Sequence, residues 1–356
     1  MVVLNISTPG RICLFGEHQD YLGLPVVAAA ISRRIGIEGA RRSDQQIIVH
    51  QPDIGRTASF GLSETLPYNQ ARDYFKSTIN VLKRRGFVFS EGVECTVRGN
   101  IPINSGTSSS SALIVSWAHF LVKLSDNPRA VSAKELGEIA NEAEVLEFGE
   151  PGGMMDHYST AIGNVIYLES VPEIYFEALQ PQLGTFVLGD SQQPKDTLGI
   201  LARCRYGMEA ILQKIKTYDA AFDIHRNPIE QINDYQTLLT EDEFGLFRAN
   251  VQDRDILRAG KKTLETAEIN HAAFGKLLYA HHENLRDYKR TSTPKIDRMI
   301  EAALKAGASG GKINGSGGGG CMFVYAPTHA QAAAEAIERE GGKAYIIRVD
   351  EGTRVE

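Results

Sequence analysis

Three segments rich in small and polar residues lie far apart in this chain of 356 residues. They are Pro9–Tyr21 (PGRICLFGEHQDY), Pro102–Ala112 (PINSGTSSSSA) and Lys312–Cys321 (KINGSGGGGC). In the second segment, hydroxyl residues stand where a loop is expected to turn into a helix. Free backbone N–H groups and the helix dipole favour an anion at such a position. The segment therefore predicts a loop that holds a polyphosphate, and with it a phosphoryl-transfer enzyme.

A serine-rich helix cap is the alternative explanation for this loop. A cap needs one serine, whereas four follow one another at Ser108–Ser111. Consecutive serines are costly at a helix start, because their hydroxyls compete with the backbone for hydrogen bonds. Phosphate binding is therefore the favoured interpretation, with a serine hydroxyl available for Mg²⁺.

The third segment formally satisfies the dinucleotide-binding pattern G-x-G-x-x-G between Gly315 and Gly320. That pattern should follow a strand and open a helix. Here the next residues, Cys321–Tyr325, have the composition of a strand. The glycines instead indicate close backbone approach to another loop or to a phosphate. The Walker pattern G-x4-G-K-[ST] does not occur in the sequence.

Two further clusters carry acid–base chemistry. Glu17, His18 and Asp20 supply several acceptors and a donor, which suits a polyhydroxylated ligand better than a metal ion with one histidine. Asp156 follows a glycine turn, and an aspartate near an arginine could accept a hydroxyl proton during phosphoryl transfer. An N-cap role for Asp156 is the structural alternative and is compatible with the first.

The composition limits the possible partners and compartment. The net charge of −6 argues against nucleic acid. The sequence has no apolar stretch near the ~18 residues that span a bilayer and no secretory signal pattern. Its four cysteines are scattered without zinc or disulfide spacing, which favours buried thiols in a reducing cytoplasm.

The order of predicted elements indicates an α+β protein. Strands dominate the first third, with separate strands expected at residues 2–6 and 11–15. A buried helix with Trp117 follows the serine loop, and Ser132 with Glu135 predicts a capping box. Helices dominate the second half. The length favours two domains, with a boundary between Pro172 and Pro181, giving 1–180 and 181–356.

In this order and spacing, the three segments resemble the signature motifs of the GHMP kinases, within which the galactokinase branch is most similar. Pro9–Tyr21 resembles the sugar-recognition motif, and Gly153–Asp156 the loop of the catalytic aspartate. Glu144 lies twelve residues before Asp156, as the magnesium-binding glutamate of that branch does. The family fold is two-domain α+β with mixed sheets, and its active site lies in the cleft between the domains.

The resemblance implies a role for each matching residue. Asp156 would be the base, and Arg11 would stabilise the charge that develops during transfer. Ser110 and Glu144 would bind Mg²⁺. The residues that would hold the sugar are Glu17, His18, Asp20 and Gly153. The residues that would wrap the phosphates of ATP are Asn104, Ser105, Gly106, Thr107, Ser108, Ser109 and Ser110.

The sugar-contacting tyrosine of the galactokinase branch is not matched. In that branch the tyrosine comes soon after the strand that follows the catalytic loop. Counting without gaps from Lys195, the corresponding position in this chain is Arg203, and Tyr206 lies three residues further on. Arg203 is thus a candidate contact to a different, even acidic, sugar, although Glu17 would repel a carboxylate. The implied activity is phosphorylation of the anomeric hydroxyl of galactose or a related aldose by a cytoplasmic monomer or homodimer. A mevalonate-like alcohol kinase and a non-catalytic sugar and ATP sensor are the alternatives.

Overall fold

The computed structural model describes residues 3–103, 105–150, 153–195 and 197–356. The strands are β1 Leu4–Phe15, β2 Val26–Arg41, β3 Gln46–Gln51, β4 Arg56–Gly61, β5 Val93–Gly99, β6 Val165–Glu169, β7 Tyr175–Leu179, β8 Phe186–Asp190, β9 Gly310–Ile313, β10 Cys321–Tyr325, β11 Lys343–Ile347 and β12 Arg354–Val355. The α-helices are α1 Tyr74–Arg84, α2 Ser109–Leu124, α3 Ala133–Asn141, α4 Met155–Ile162, α5 Thr197–Leu201, α6 Met208–Tyr218, α7 Glu241–Leu264, α8 His271–Asp287, α9 Pro294–Lys305 and α10 Ala330–Arg339.

Two sheets organise these elements. The described part of the first has the order β12-β1-β2-β5-β3-β4, with β6 on β2 and β7 on β6. It is mixed, because β3 and β5 run parallel while the other pairs are antiparallel. The second sheet has the order β11-β8-β10-β9 and is antiparallel. The architecture is the predicted α+β class with mixed sheets.

The cores show how the sheets are joined. Trp117 and Phe120 of α2 pack with α1, α3 and one half of the first sheet. Phe15 at the end of β1 instead packs with Phe323 of β10 and with α7 and α8. β1 therefore carries its C-terminal end into the second half of the molecule. This brings Pro9–Tyr21 close to Lys312–Cys321.

β1 also corrects an expectation. The sequence predicted two strands, at residues 2–6 and 11–15, whereas the structure has one continuous strand from Leu4 to Phe15. A register shift against β2 between Pro9 and Gly10 absorbs the proline, which has no N–H to donate to a ladder. The strand therefore continues past Pro9 and delivers Arg11 to the site.

The chain ends on the first sheet, not on the second. Val349 bridges to Ile31 of β2, and β12 pairs with β1 at Ile6 and Ser7. Thr353 donates its backbone N–H to the Ala161 carbonyl at 3.1 Å. The division into domains at 180 and 181 stays a prediction. Among the described residues, no helix has both the length and the apolar character to cross a membrane.

Candidate active site

The loop before α2 is held by its own hydroxyl groups. Ser105 Oγ donates to the Pro102 carbonyl at 2.7 Å and lies 3.0 Å from Thr107 Oγ1. Ser108 occupies the N-cap position of α2 with a left-handed backbone (φ 58°). Its buried hydroxyl lies beside the Asp156 carboxylate and contributes to lowering the pKa of that group. Asn104, the first predicted phosphate ligand, lies outside the described residues.

The third segment packs directly against this loop. Gly106 has φ +88°, and a Cβ there would lie 2.7 Å from the Asn314 carbonyl oxygen. A Cβ at Gly320 would lie 2.6 Å from the Ser105 carbonyl oxygen. Asn314 donates from Nδ2 to the Gly106 carbonyl at 2.7 Å and accepts from the Cys13 N–H at 2.9 Å. Asn314 thus ties the three segments together, and these contacts leave no room for side chains at the two glycines.

Arg11 and Asp156 form an ion pair at the centre. Arg11 Nε and Nη2 lie 2.8 and 2.7 Å from Asp156 Oδ1, and Arg11 Nη1 donates to the Gly106 carbonyl. Arg11 is buried, whereas 33% of the Asp156 side chain is exposed. Burial raises the pKa of Asp156, but the charges of Arg11 and His157 outweigh it, so the pKa lies below its ordinary value. Asp156 is therefore an ionised acceptor at neutral pH, open to a ligand.

Asp156 lies in the first turn of α4 and is not its N-cap. The N-cap residue is Met154, and within the described part of the chain no side chain caps the helix there. A carboxylate in the first turn is still favoured by the helix dipole. The dipole and Arg11 therefore both favour the ionised form of Asp156.

Asp20 is the second carboxylate at this point. Its Oδ1 accepts from the Tyr21 N–H at 3.0 Å, and Oδ2 lies so close to Gly153 that a Cβ there would overlap it. Burial and the negative charge of Asp156 raise the pKa of Asp20 to about 6. Glycine at 153 is thus required by the position of the Asp20 carboxylate.

Glu17 and His18 lie deeper, and protein groups already bind both. Glu17 pairs with Lys312 Nζ, and its Oε1 accepts from the Gly315 N–H at 3.3 Å. His18 lies 3.0 Å from the Tyr21 hydroxyl through Nδ1. Burial and the charge of Lys289 lower the pKa of His18 to about 3, so its ring is neutral at pH 7.

Glu144 lies in a π-helical segment, residues 142–146, that continues α3. Its Oε2 accepts from Ser111 Oγ and from His157 Nε2, both at 2.7 Å. Burial raises the pKa of Glu144, but His157, Ser110 and Ser111 outweigh it and lower the pKa. Among the described residues, no group of three or more His, Cys, Asp or Glu could hold a metal ion by itself.

These side chains border one cavity of about 210 Å³. Seven predicted site residues line it: Arg11, Glu17, His18, Asp20, Glu144, Gly153 and Asp156. Tyr21, Met155 and Leu201 add apolar surface. A second cavity of about 240 Å³ opens beside Ser109 and Ser110 at the start of α2. Its lining is mainly apolar and includes Ile35, Ile54, Tyr74, Val97, Ile101, Ile103 and Leu113.

Arg203 is not among the described residues that line either cavity. Its guanidinium pairs with Asp242, with N–O distances of 2.8 and 3.0 Å, and donates to the Tyr288 carbonyl. These partners lie outside the cavities, so the structure does not bring Arg203 to the site. Leu201 lines the cavity instead.

Lys195 is a functional candidate that the sequence reasoning missed. A Cβ added to Gly106 would lie 3.5 Å from Lys195 Nζ, and a Cβ added to Gly320 would lie 3.2 Å from Lys195 Cε. Burial and the charge of Arg11 lower the pKa of Lys195, which places it in the same charged group as Asp156. A lysine after a buried strand carries no signal by itself. The sequence also did not indicate which site residues are bound by His157, Lys312 and Asn314, because these partners are far apart in the chain or lack a local pattern.

Three family models match the chain in the expected order. The galactokinase galactose-binding signature matches residues 4–41, the GHMP kinase N-terminal domain residues 73–164, and the GHMP kinase C-terminal domain residues 263–344. Together they match more than half of the sequence. The chain belongs to the GHMP kinase family, whose galactokinase and mevalonate kinase members are ATP-dependent phosphotransferases.

Relatives of both kinds match over nearly the whole chain. A galactokinase from Haemophilus influenzae is 27% identical over 372 residues, covering 99% of this chain and 94% of its own. A mevalonate kinase from Thermococcus gammatolerans is 27% identical over 365 residues, covering 98% and 97%. These identities support a GHMP-type kinase and leave the substrate to be argued from the site.

Solved structures show the same fold. The galactokinase of Lactococcus lactis complexed with galactose has a TM-score of 0.84 at 23% identity and covers 99% of this chain and 95% of its own. The mevalonate kinase of Methanococcus jannaschii has a TM-score of 0.72 at 18% identity and covers 98% of each chain.

Proposed function

We propose that the enzyme transfers the γ-phosphoryl group of ATP to the anomeric hydroxyl of galactose or a related aldose. The observation that carries the proposal is the Arg11–Asp156 ion pair, which borders a cavity that also presents Asp20 and Gly153. The galactose-binding signature matches residues 4–41, which contain Arg11, Glu17, His18 and Asp20. Each of these residues lines the same cavity.

The charges around the cavity favour a neutral acceptor. Among the described residues that line it, Arg11 is the only arginine or lysine, and it pairs with Asp156. Lys312 lies behind Glu17 and is fully buried. A carboxylate on the substrate would therefore meet Asp20 and Asp156 without a cation of its own, a costly arrangement at short range. This argues against mevalonate and against an acidic sugar.

We place the base of ATP in the second cavity. Its apolar walls suit an aromatic base, and its polar end is the first turn of α2 at Ser109 and Ser110. We assign the phosphates to Ser105–Ser110, where backbone N–H groups and the helix dipole favour anions. The terminal phosphate would then point towards Arg11, because Arg11 Nη1 donates to the Gly106 carbonyl of the same loop.

The transfer needs mainly positioning and charge compensation. Asp156 accepts a hydrogen bond from the acceptor hydroxyl and receives its proton as the new O–P bond forms. The bond between the γ-phosphorus and the β,γ-bridging oxygen breaks in the same transfer, and ADP leaves. Arg11 keeps Asp156 oriented through two nitrogen atoms and offsets charge on the transferring group. Lys195, beside Gly106, is a second cation in reach of that group.

The residues present suit Mg²⁺. Glu144 is ionised and buried beside the first turn of α2, and Ser110 there offers a hydroxyl oxygen. Mg²⁺ is usually held by one or two carboxylates together with substrate phosphates and water, and not by a full protein cage. Ser110 and Glu144 would hold the ion, which would neutralise phosphate charge when bound. His157 and Ser111 fix the carboxylate of Glu144.

We also propose a cytoplasmic monomer or homodimer with domains 1–180 and 181–356. The four cysteines are free and buried, which supports a reducing compartment. The two sheets, centred in different halves of the sequence, support the division into domains.

The test is an ADP-release assay of the purified protein with Mg·ATP against galactose, N-acetylgalactosamine, fucose, arabinose, galacturonate and mevalonate. We expect turnover on a neutral sugar and none on the two carboxylates. The D156N variant should lose orders of magnitude in kcat while calorimetry still detects sugar and ATP. Turnover on mevalonate alone would refute a sugar kinase, and sugar binding without turnover in the wild type would favour the sensor.

A further inference from the structure

A buried lysine from the third segment contacts the sugar-recognition segment without touching the cavity. Lys312, on β9, pairs with Glu17 of the loop after β1 and is 0% exposed, while Glu17 is 2% exposed. The two residues are 295 positions apart in the sequence. Only Glu17 of the pair lines the cavity.

Lys312 uses its full donor capacity at this point. Besides Glu17 Oε2, its Nζ donates to the Cys13 carbonyl at 3.0 Å and to the Ile313 carbonyl at 3.1 Å. An ammonium group has three N–H donors, so all of them have partners. The lysine is therefore held in one geometry, and it holds the glutamate in one geometry as well.

A second buried lysine secures the backbone of the same residue. Lys289, also 0% exposed, donates to the Glu17 carbonyl at 3.1 Å and lies 2.8 Å from Asp253 Oδ2. Lys289 thus balances Asp253, and Lys312 balances Glu17. Because Lys289 is paired with Asp253, Lys312 is the cation that compensates the charge of Glu17.

The physical consequence concerns the direction of the Glu17 carboxylate. A buried charged group is costly unless a charged, hydrogen-bonded partner compensates it. Without Lys312, Oε2 of Glu17 would lose this partner. With Lys312 on Oε2 and the Gly315 N–H on Oε1, the carboxylate plane is set relative to the cavity.

We propose that Lys312 is a positioning residue for acceptor recognition, which acts by pairing with Glu17 and fixing the orientation of its carboxylate. This inference rests on the proposed function, since it assigns the Glu17 edge of the cavity to the acceptor. Lys312 does not contact the acceptor. Its loss should weaken acceptor binding and leave the ATP site intact, because the ATP cavity lies beside α2.

The test is the K312M variant, in which an unbranched apolar chain of similar length replaces the lysine. We expect the KM for the acceptor to rise at least about tenfold, while kcat falls less and the KM for ATP stays within about twofold. The matched control is K76M. Lys76 is also buried and pairs with Asp73 at 3.2 Å, but it does not line either cavity. Both kinetic constants for the acceptor should be unchanged in K76M.

A double-mutant cycle separates positioning from a general loss of stability. If Lys312 acts through Glu17, K312M should add nothing to the acceptor KM once E17Q is present. The variant with both changes has no unpaired buried charge, so it should fold even where a single change does not. The KM of this double variant for the acceptor should match the KM of E17Q. If E17Q cannot be purified, the KM of the double variant should exceed the wild-type KM at least about tenfold.

Two results would overturn the inference. One is an acceptor KM in K312M that equals the wild-type value. The other is a further tenfold loss in the variant with both changes compared with E17Q. The cycle is run with whichever acceptor the wild type phosphorylates. An acceptor that is not a sugar would refute the proposed function, while the cycle would still decide the role of Lys312.

Discussion

Replacing Asp20 with asparagine should make the protein more stable and a worse kinase. Asp20 lies against Gly153, with Asp156 as its charged neighbour, and its pKa is raised to about 6 from 3.8. The folded protein therefore holds the Asp20 proton more tightly than the unfolded chain does. Asparagine keeps an oxygen for the Tyr21 N–H and removes the charge that faces Asp156.

The magnitude follows from the pKa of Asp20. The rise of the pKa of Asp20 from 3.8 to about 6 corresponds to about 3 kcal/mol of unfolding free energy at most. Asp20 is partly exposed, so solvent screening reduces the expected gain to about 1–2 kcal/mol. At about 2 °C per kcal/mol for a domain of this size, the melting temperature of D20N should rise by about 2–4 °C.

The pH dependence has a defined sign. Protonation of Asp20 favours the folded state, because the folded protein binds this proton more tightly than the unfolded chain. This contribution to stability is fully present below about pH 4 and is lost as the pH rises through about 6. D20N should therefore exceed the wild type in stability above about pH 6 and match it below about pH 4. The acceptor KM should rise about 10–100-fold in D20N, because a charged acceptor is lost. The wild-type KM should rise as the pH falls below about 6, where Asp20 takes up its proton.

The assay is denaturant unfolding of both proteins across this pH range, with steady-state kinetics at each point. D44N is the matched control, because hydrogen bonds from Arg42 and the Gln46 N–H lower the pKa of Asp44 to about 2. D44N should give no gain in stability at neutral pH. A D20N variant less stable than the wild type at pH 7 would refute the reasoning, and so would a gain that is independent of pH.

Three further predictions test other parts of the molecule. I103D places a charge in the apolar cavity beside α2 and should raise the KM for ATP about tenfold or more, leaving the acceptor KM unchanged. The control V88D changes a remote, exposed side chain and should alter neither KM. E144Q should raise the Mg²⁺ concentration for half-maximal activity, since a charged ligand is lost; an unchanged Mg²⁺ titration would remove Glu144 from the metal site. T240A should lower the unfolding free energy by about 1 kcal/mol in denaturant titrations without affecting kinetics, because Thr240 Oγ1 caps α7 at the Glu243 N–H; equal stability would contradict the capping role.

Local signals were strong enough to predict several elements. Trp117 lies fully buried on α2, as the apolar run after the serine loop indicated. Ser132 caps α3 by accepting from the Glu135 N–H at 3.1 Å. The predicted return contact of a capping box is replaced, because the Glu135 carboxylate binds Arg129 instead. A complete capping box occurs at Thr240 and Glu243, at the start of α7.

The sequence by itself determined which residue types could do the chemistry. A serine loop at a helix start and an aspartate after a glycine turn each have a local pattern, so Ser108 and Asp156 could be named from it. Arg11 could be named only from the resemblance to the GHMP kinases. Strand continuity was less predictable. β1 runs through Pro9 because β2 shifts register to accept it, and that depends on the partner strand.

Only the tertiary structure decided which charges meet. Arg203 and Lys195 lie close in sequence, yet Arg203 pairs with Asp242 outside the cavity, while Lys195 lies against Gly106. Lys312 reaches Glu17 from the far end of the chain, which no local pattern encodes. The physical reason is that a buried charge is tolerated only with its partner. That pairing is set by how the two sheets pack against each other.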